Sequence, residues 1–158
     1  MPTYVTGNIW DGMQYVKWAD LLLFPANGVV LNERLVMGAG FAKDVKLKFP
    51  EIDAMFGERI LDGTFRFEKN AFLYGLLICE HEDGWKVGAF QSKLHWQDKS
   101  NLNAIKAASD YLAEWCEMFP NTSVHLPFPG IGFGGLHPEI VKPFLDQLPT
   151  QVTIWQKE

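Results

Sequence analysis

The stretch Asp20-Leu21-Leu22-Leu23-Phe24 decides the fold class, because every residue after the first is apolar. A strand with one face in water alternates apolar and polar residues, whereas an unbroken apolar strand is typical of a sheet that is covered on both faces. We therefore predict a buried central strand here that ends at Pro25, with helices packed against both faces of its sheet.

Predicted strands and helices alternate along the rest of the chain. The turn residues Glu82-Asp83-Gly84 predict a hairpin between two of the strands. A long helix is capped by Ser100 or Asn101, and Pro120 follows its end. The other strands are predicted at Tyr4–Thr6, Ala71–Cys79, Trp85–Phe90, Ser123–Leu126 and Gln151–Trp155. The segment Gly38–Lys43 leads into a helix that ends at about Phe49, and the other helices are predicted at Ile52–Leu61, Leu102–Cys116 and Pro138–Leu148.

This order of elements predicts an α/β fold in three layers (α/β/α), with a mixed, mostly parallel sheet in the middle. The chain has 158 residues, which is enough for one ordinary domain and too few for two. No repeat, low-complexity tract or linker interrupts the series of elements. We therefore expect residues 1–158 to form a single domain.

Composition and charge exclude several classes of protein. Hydrophobic residues make up 47% of the chain and charged residues 21%, which excludes a disordered tail and a coiled coil. The formal net charge is −5, from 14 Lys and Arg against 19 Asp and Glu, and this disfavours tight non-specific binding to duplex DNA. A nucleotide ligand and a local basic patch both remain compatible with this balance.

The sequence contains no signal for a membrane, an export pathway or a metal. The longest apolar run, Ala71–Cys79, is less than half of the roughly 20 residues that a membrane helix needs. Cys79 and Cys116 belong to no Cys/His cluster, so neither a disulfide framework nor a zinc site is expected. We expect a cytoplasmic monomer with no membrane partner, no metal and no cofactor.

Two glycine-rich segments suggest a phosphate ligand. Met37-Gly38-Ala39-Gly40-Phe41-Ala42 precedes a helix, whose free N–H groups and dipole form an anion site. It lacks the third glycine of a dinucleotide fingerprint and the Gly-Lys-Ser/Thr of a P-loop. The segment Pro127–Pro138 follows a predicted buried strand, so it lies at the carboxyl edge of the sheet, where ligands bind. A diphosphate held between both segments fits this pattern, and plain glycine turns are the alternative.

A third segment, Gln91-Ser92-Lys93-Leu94-His95-Trp96, comes at the end of a predicted strand. Each of its side chains has an ordinary interpretation when it is taken alone. Lys93 fits a solvated surface lysine, His95 a structural histidine, and Trp96 an anchor in the core. The segment gains interest only because it lies between the two glycine-rich segments in sequence.

Together the three segments resemble the macrodomains, the ADP-ribose-binding fold. The similarity is greatest to the branch that contains the DNA ADP-ribosyl glycohydrolase antitoxin DarG, the terminal ADP-ribose protein glycohydrolases and related phage or bacterial proteins. It covers the whole chain in the correct order, and the strings Met-Gly-x-Gly-x-Ala and Lys-x-His-Trp are fairly specific to this branch. The matching stretches are Thr6–Ile9, Pro25–Gly28, Val36–Lys43, Ser92–Ser100 and Pro127–Leu136.

The resemblance implies which residues bind ADP-ribose. Asn8 stands where many macrodomains have an Asp that accepts a hydrogen bond from adenine, and Ile9 would contact the same base. Trp155 would add an aromatic face, with core packing as the alternative. Asn27 would face the distal ribose. The diphosphate and distal ribose would be lined by Gly38, Ala39, Gly40, Phe41 and Ala42 from one segment and by Gly130, Ile131, Gly132, Phe133 and Gly134 from the other.

The resemblance also implies a catalytic set of Lys93, His95 and Asn27. Lys93 matches the lysine on which catalysis depends in the glycohydrolases, where an amine beside C1″ acts as a nucleophile or polarises the leaving group. His95 would support it. The terminal ADP-ribose glycohydrolases carry an Asp where this chain has Gly134. DarG-like proteins also lack that Asp, which favours a DNA-linked substrate.

These implications lead to three hypotheses. The first is an ADP-ribosyl glycohydrolase that removes ADP-ribose from a modified macromolecule, with a DNA base favoured over protein and single-stranded DNA as a partner. The second is a reader that binds ADP-ribose without turnover. The third is a protein that sequesters or hydrolyses a small nucleotide such as ADP-ribose-1″-phosphate.

Overall fold

The computed structural model describes residues 1–12 and 20–157. The first half of this part holds β1 (Thr3–Thr6), α1 (Ile9–Gly12), β2 (Leu21–Ala26), β3 (Val30–Leu31), β4 (Arg34–Leu35), α2 (Gly40–Lys48), α3 (Ile52–Asp62), β5 (Arg66–Glu68) and β6 (Ala71–Leu73). The second half holds β7 (Leu76–Glu80), β8 (Lys86–Gln91), α4 (Leu102–Met118), β9 (Val124–Pro127), α5 (Pro138–Leu145) and β10 (Val152–Gln156).

Six of the strands form one central sheet in the order β1-β10-β9-β2-β8-β7. All neighbouring pairs in it are parallel except β7 and β8, which form the hairpin predicted at residues 82–84. Strands β3 and β4 pair with each other in a separate antiparallel ribbon, as do β5 and β6. The predicted mixed, mostly parallel sheet is therefore confirmed.

The two faces of β2 point into two separate halves of the core. Leu22 and Phe24 pack in one cluster with residues of α2 and α3, whereas Leu21 and Leu23 pack in another with residues of α4 and α5. All four leucine and phenylalanine side chains are fully buried, and burial of each contributes roughly 1.5–3 kcal/mol. The unbroken apolar run thus has the predicted cause, a sheet covered on both faces, and the three-layer α/β/α fold is confirmed.

Three details of the predicted strands were wrong. Strand β2 continues through Pro25 to Ala26, and a proline is tolerated there because β9 pairs only with the first two residues of β2. The predicted strand Ala71–Cys79 is split at Gly75, where φ is +75°. The short ribbons β3/β4 and β5/β6 were missed, because their turns consist of Asn, Glu and Lys residues at positive φ rather than glycine.

The helices follow the predictions more closely. The long helix α4 begins after Asn101, whose Oδ1 accepts hydrogen bonds from the backbone N–H groups of Asn103 (2.9 Å) and Ala104 (3.2 Å). Asn101, and not Ser100, is therefore the N-cap. Helix α5 ends at Leu145, one turn earlier than predicted. None of the helices in the described ranges is long and apolar enough to cross a membrane.

Candidate functional site

A cleft of about 520 Å³ opens at the carboxyl ends of β2, β8 and β9, three neighbouring strands of the sheet. This edge is where ligands bind in open α/β folds. All three segments that the sequence singled out contribute to its walls. The lining residues are Pro25, Ala26, Asn27, Val36, Met37, Gly38, Ala39, Gly40, Phe41, Ala42, Ser92, Lys93, Trp96, Gln97, Asp98, Ser100, Pro127, Phe128, Gly130, Ile131, Phe133 and Gly134.

The first glycine-rich segment forms one wall and leads directly into α2. Gly40 begins the helix with a φ of +58°, a conformation that side-chain-bearing residues rarely adopt. The N-cap residue Ala39 offers no side-chain hydrogen bond to the helix, so the first N–H groups of α2 remain available at the cleft. A Cβ added to Gly38 would meet no atom within 4 Å. The fold therefore leaves open space beside Gly38.

The second glycine-rich segment forms the opposite wall. It closes on itself through a hydrogen bond from the Leu136 N–H to the Gly130 carbonyl (2.9 Å). A short 3-10 turn, Gly132–Gly134, carries Phe133, whose side chain is 89% exposed. Gly40 faces this ring, because a Cβ on Gly40 would come within 3.8 Å of it. The two glycine-rich segments therefore approach each other across the cleft.

Lys93 lies in the cleft directly after the end of β8. Its backbone is held at both sides, because its N–H donates to the Ala26 carbonyl (3.3 Å) and its carbonyl accepts from Gln91 Nε2 (3.3 Å). Its ammonium makes no hydrogen bond or ion pair with the part of the chain that the structure describes. Partial burial lowers the pKa of Lys93, and the Asp98 carboxylate opposes this shift.

Ser100 closes the floor of the cleft against the second glycine-rich segment. Its backbone N–H donates to the Gly134 carbonyl (2.8 Å). Its hydroxyl is buried and has no hydrogen-bond partner among the described residues. The same hydroxyl occupies the space that a Cβ on Gly134 would need. A side chain at position 134 is thus excluded by packing as long as Ser100 keeps its rotamer.

Comparison with solved structures identifies this architecture. The macrodomain of Mycobacterium tuberculosis DarG superposes with a TM-score of 0.74 at 24% identity, over 98% of this chain and 97% of that one. The macrodomain of Thermus aquaticus DarG gives 0.70 at 23% identity, over 100% and 98%. The chain has the macrodomain fold. Thermosipho africanus DarTG, solved in complex with ADP-ribose, gives 0.65 at 22% identity, over 89% of this chain and 43% of that one.

Comparison with curated sequences gives a relative of this macrodomain. It is a DNA ADP-ribosyl transferase–DNA ADP-ribosyl glycohydrolase fusion protein from Thermosipho africanus, 29% identical over 139 residues. The match covers 80% of this chain and 36% of the relative, so the chain spans about a third of that protein's length. No family model matches the chain.

Eleven of the predicted site residues line the macrodomain cleft, and five do not. Those in the lining are Asn27, Gly38, Ala39, Gly40, Phe41, Ala42, Lys93, Gly130, Ile131, Phe133 and Gly134. Those outside it are Asn8, Ile9, His95, Gly132 and Trp155.

Asn27 has a structural task in addition to its place in the cleft. Its Nδ2 donates to the Val36 carbonyl and its Oδ1 accepts from the Val29 N–H, both at 2.9 Å. Its carbonyl accepts a hydrogen bond from the Tyr74 hydroxyl (2.6 Å). The amide therefore braces the loop that leads from β2 towards the first glycine-rich segment.

The predicted adenine contacts lie near the start of α1. Asn8 is exposed, and its Oδ1 accepts from the Trp10 N–H (2.9 Å), so it caps the helix. Ile9 is only 5% exposed and packs in the core. The indole of Trp155 packs against Gly12, and its Nε1 donates to His125 Nδ1 (3.3 Å). In this structure the Trp155 ring therefore serves packing.

His95 is not among the residues that line the cleft. Its ring stacks on Trp96 with centroids 4.0 Å apart, and its Nδ1 accepts from the Gln97 N–H (3.3 Å). Trp96 itself lines the cleft and is 41% exposed, so it is not the core anchor considered from the sequence. His95 thus contacts the cleft only indirectly, through its stack on Trp96.

The sequence analysis gave no role at the site to three polar residues that the structure places in or beside it. Gln91, which is 1% exposed, holds the Lys93 carbonyl. Asp98 and Ser100 share the cleft with Lys93. Only the position of Gln91 at the end of a buried strand could have pointed to it, because a buried amide needs partners. Within residues 1–12 and 20–157, no group of three His, Cys, Asp or Glu could hold a metal ion.

Proposed function

We propose that this chain binds ADP-ribose in the cleft and acts as an ADP-ribosyl glycohydrolase. The observation that carries the proposal is the half-buried Lys93, which has no direct partner among the described residues and lies between two glycine-rich walls. A lysine side chain is rarely buried without a functional role, because burial removes water from its charged form. A substrate whose reacting carbon comes close to the amine would give Lys93 such a role.

The two walls suit the diphosphate of the ligand. The N-terminus of α2 supplies free N–H groups and the positive end of a helix dipole. The open space beside Gly38 allows a close approach of the phosphates. With the diphosphate between the walls, the distal ribose would extend towards Lys93 and Asn27, and the adenine towards Asn8 and Ile9. ADP-ribose is then the ligand or product, and no further cofactor is required.

The chemistry needs a bond to C1″ of the distal ribose to be broken. A neutral Lys93 amine could attack C1″, and a charged Lys93 could donate a proton to the leaving group. The lowered pKa of Lys93 makes its neutral amine more accessible, and its ammonium a stronger acid, than those of an ordinary lysine. Water then breaks the lysine–C1″ bond of the first route, or attacks C1″ directly in the second, so both routes give free ADP-ribose and an unmodified macromolecule.

A DNA base is the favoured point of attachment. The curated relative is named for DNA ADP-ribosyl glycohydrolase activity. The mouth of the cleft carries the exposed indole of Trp96, and a flat aromatic side chain is a good surface for stacking an unpaired base. The acidic net charge of −5 argues against duplex DNA. A single-stranded substrate is therefore proposed.

The experiment that tests this function measures ADP-ribose released from ADP-ribosylated single-stranded DNA and from ADP-ribosylated protein in parallel. Release from DNA that is lost in Lys93→Ala supports the proposal. Release from protein alone would move the substrate to the protein class. Lys106→Ala, on the exposed face of α4, is the matched control for removal of a lysine.

A reader without turnover is the second candidate, and Gly134 favours it. The Ser100 hydroxyl fills the place of a side chain there, so this loop supplies no carboxylate. Calorimetry that detects ADP-ribose binding, combined with no release from DNA, protein or ADP-ribose-1″-phosphate, would establish the reader. Release of phosphate from ADP-ribose-1″-phosphate would instead identify the small-nucleotide function.

A further inference from the structure

Asp98 is an acidic residue of the cleft. Neither the sequence analysis nor the proposed function gives it a role. It lies in the segment that connects β8 with α4 and lines the same cavity as Lys93. Its backbone N–H donates to the His95 carbonyl (3.1 Å), which fixes the turn in which it stands. Its position is therefore defined by the same segment that carries the lysine.

The carboxylate of Asp98 is free to act on a ligand. It makes no hydrogen bond or ion pair with any side chain in the ranges that the structure describes. It is nevertheless close enough to Lys93 to oppose the lowering of the lysine pKa that burial causes. The two groups line one cavity without forming a direct ion pair.

The opposite wall of the cleft supplies no carboxylate. Gly134 stands in the second glycine-rich segment, and a Cβ on it would collide with the buried Ser100 hydroxyl. Among the described residues that line the cleft, Asp98 is the sole carboxylate. Hydrolysis by a lysine alone would need water to attack without a base, which costs much of the rate that a positioned base supplies.

We propose that Asp98 is the general base of the hydrolysis and that Lys93 is its acid. The Asp98 carboxylate takes a proton from a water molecule as the water oxygen forms a bond to C1″. The bond between C1″ and the leaving nitrogen or oxygen breaks, and its electron pair goes to the leaving atom, which takes a proton from the Lys93 ammonium. The protonated Asp98 then returns its proton through solvent to the neutral lysine.

This assignment of base and acid rests on the proposed glycohydrolase function. It also explains why Asp98 and Lys93 form no direct ion pair. A direct pair would neutralise both groups in place and close the gap that the substrate needs. Two separate groups at the same cleft instead allow proton removal from water and proton delivery to the leaving atom in the same step. Both groups stand on the segment that connects β8 with α4.

The test compares Asp98→Asn with the wild-type chain on ADP-ribosylated single-stranded DNA. Asparagine keeps the shape but cannot accept the proton, so kcat should fall by about 100-fold or more, while KM and ADP-ribose affinity change little. Added formate should restore part of the rate in Asp98→Ala, which a merely structural role would not allow. Glu117→Gln, on the exposed face of α4, removes the same charge as a control and should keep the wild-type rate.

The outcomes separate the two proposals. A wild-type rate in Asp98→Asn, with Lys93→Ala inactive, would overturn the role of Asp98 and leave the glycohydrolase standing. If Asp98→Asn lost activity but formate restored none of the rate in Asp98→Ala, the general-base role of Asp98 would also be overturned. If the wild-type chain released no ADP-ribose, both the glycohydrolase function and the role of Asp98 would be overturned.

Discussion

The Ser100 hydroxyl occupies the space that a side chain on Gly134 would need. The two residues come from segments that are distant in sequence, and the Ser100 N–H also donates to the Gly134 carbonyl (2.8 Å). With Ser100 in this rotamer, the glycine is required by packing rather than by its backbone angles. Because the hydroxyl is buried without a partner in the described structure, it also costs the fold a desolvated polar group.

Substitution of this pair should change the free energy of unfolding in opposite directions. Gly134→Ala forces a shift of Ser100 and should cost about 1–3 kcal/mol, as overpacking does. Ser100→Ala removes the unpaired hydroxyl and should be neutral or stabilising. The double variant should recover most of the loss. Urea unfolding of the four proteins measures this, and equal stability of Gly134→Ala and the wild-type chain would contradict the contact.

Gly38 allows the opposite kind of test, because its surroundings are open. A Cβ there meets no atom within 4 Å, so Gly38→Ala and Gly38→Val should unfold at the wild-type temperature. The added carbons would point into the space assigned to the diphosphate, and ADP-ribose affinity should fall by about tenfold or more, which is roughly 1.4 kcal/mol. Calorimetry measures the affinity. Unchanged binding by Gly38→Val would argue against a ligand at this wall.

Lys93→Arg separates the charge of the lysine from its chemistry. Arginine keeps the positive charge but neither attacks carbon nor gives up its proton near neutral pH. If Lys93 acts as acid or nucleophile, Lys93→Arg should release ADP-ribose about 100-fold more slowly than the wild-type chain, while ADP-ribose binding stays within a few-fold. A single-turnover assay measures the rate. Near-wild-type turnover by Lys93→Arg would reduce the role of Lys93 to electrostatics.

His125 should make the stability of the fold depend on pH. It lies between Asp20 (3.6 Å) and the Trp155 Nε1–H, which donates to its Nδ1 (3.3 Å). Burial lowers the pKa of His125 in the folded chain, and Asp20 only partly opposes this shift. The unfolded chain then binds a proton that the folded chain does not. Stability should therefore fall as pH drops below about 6.5, by at most roughly 1.4 kcal/mol per pH unit.

The measurement for His125 is the unfolding free energy between pH 5 and pH 8. His125→Gln should flatten the curve in the acidic range, because the neutral amide does not titrate. His137→Gln removes an exposed histidine and should leave the curve unchanged. If His125→Gln lost as much stability at acidic pH as the wild-type chain, the pH dependence would belong to other groups.

The layers of the fold could be predicted because they follow from apolar patterning. The run Leu21–Phe24 required cover on both faces, and the stripe of α4 required a helix of that length. The break at Gly75 could not be predicted in the same way. It depends on the buried Gln91, whose Oε1 accepts from the Tyr74 and Gly75 N–H groups (2.9 and 3.0 Å). Such a contact joins distant residues and leaves no local pattern.

The same limit applies to the cleft. Its glycine-rich walls and Lys93 were recognisable as motifs, because the three segments together, in this order, resemble the macrodomains. The hydrogen bond by which Asn27 braces its loop, and the contact with Ser100 that excludes a side chain on Gly134, each depend on residues that are distant in sequence. For the adenine side, the resemblance to macrodomains implied Asn8 and Trp155, and both side chains make contacts within the protein in the structure.

The cleft is built on the ends of three adjacent strands that belong to distant parts of the chain. It exists only when β9, β2 and β8 are all in register, so no fragment that lacks one of them can bind. A ligand at 100 times its Kd would then add about 2.7 kcal/mol to the stability of the whole sheet rather than to a single loop. In a hydrogen-exchange experiment, the bound ligand should slow amide exchange along all three strands at once. The occupied cleft would then stabilise the chain against global unfolding.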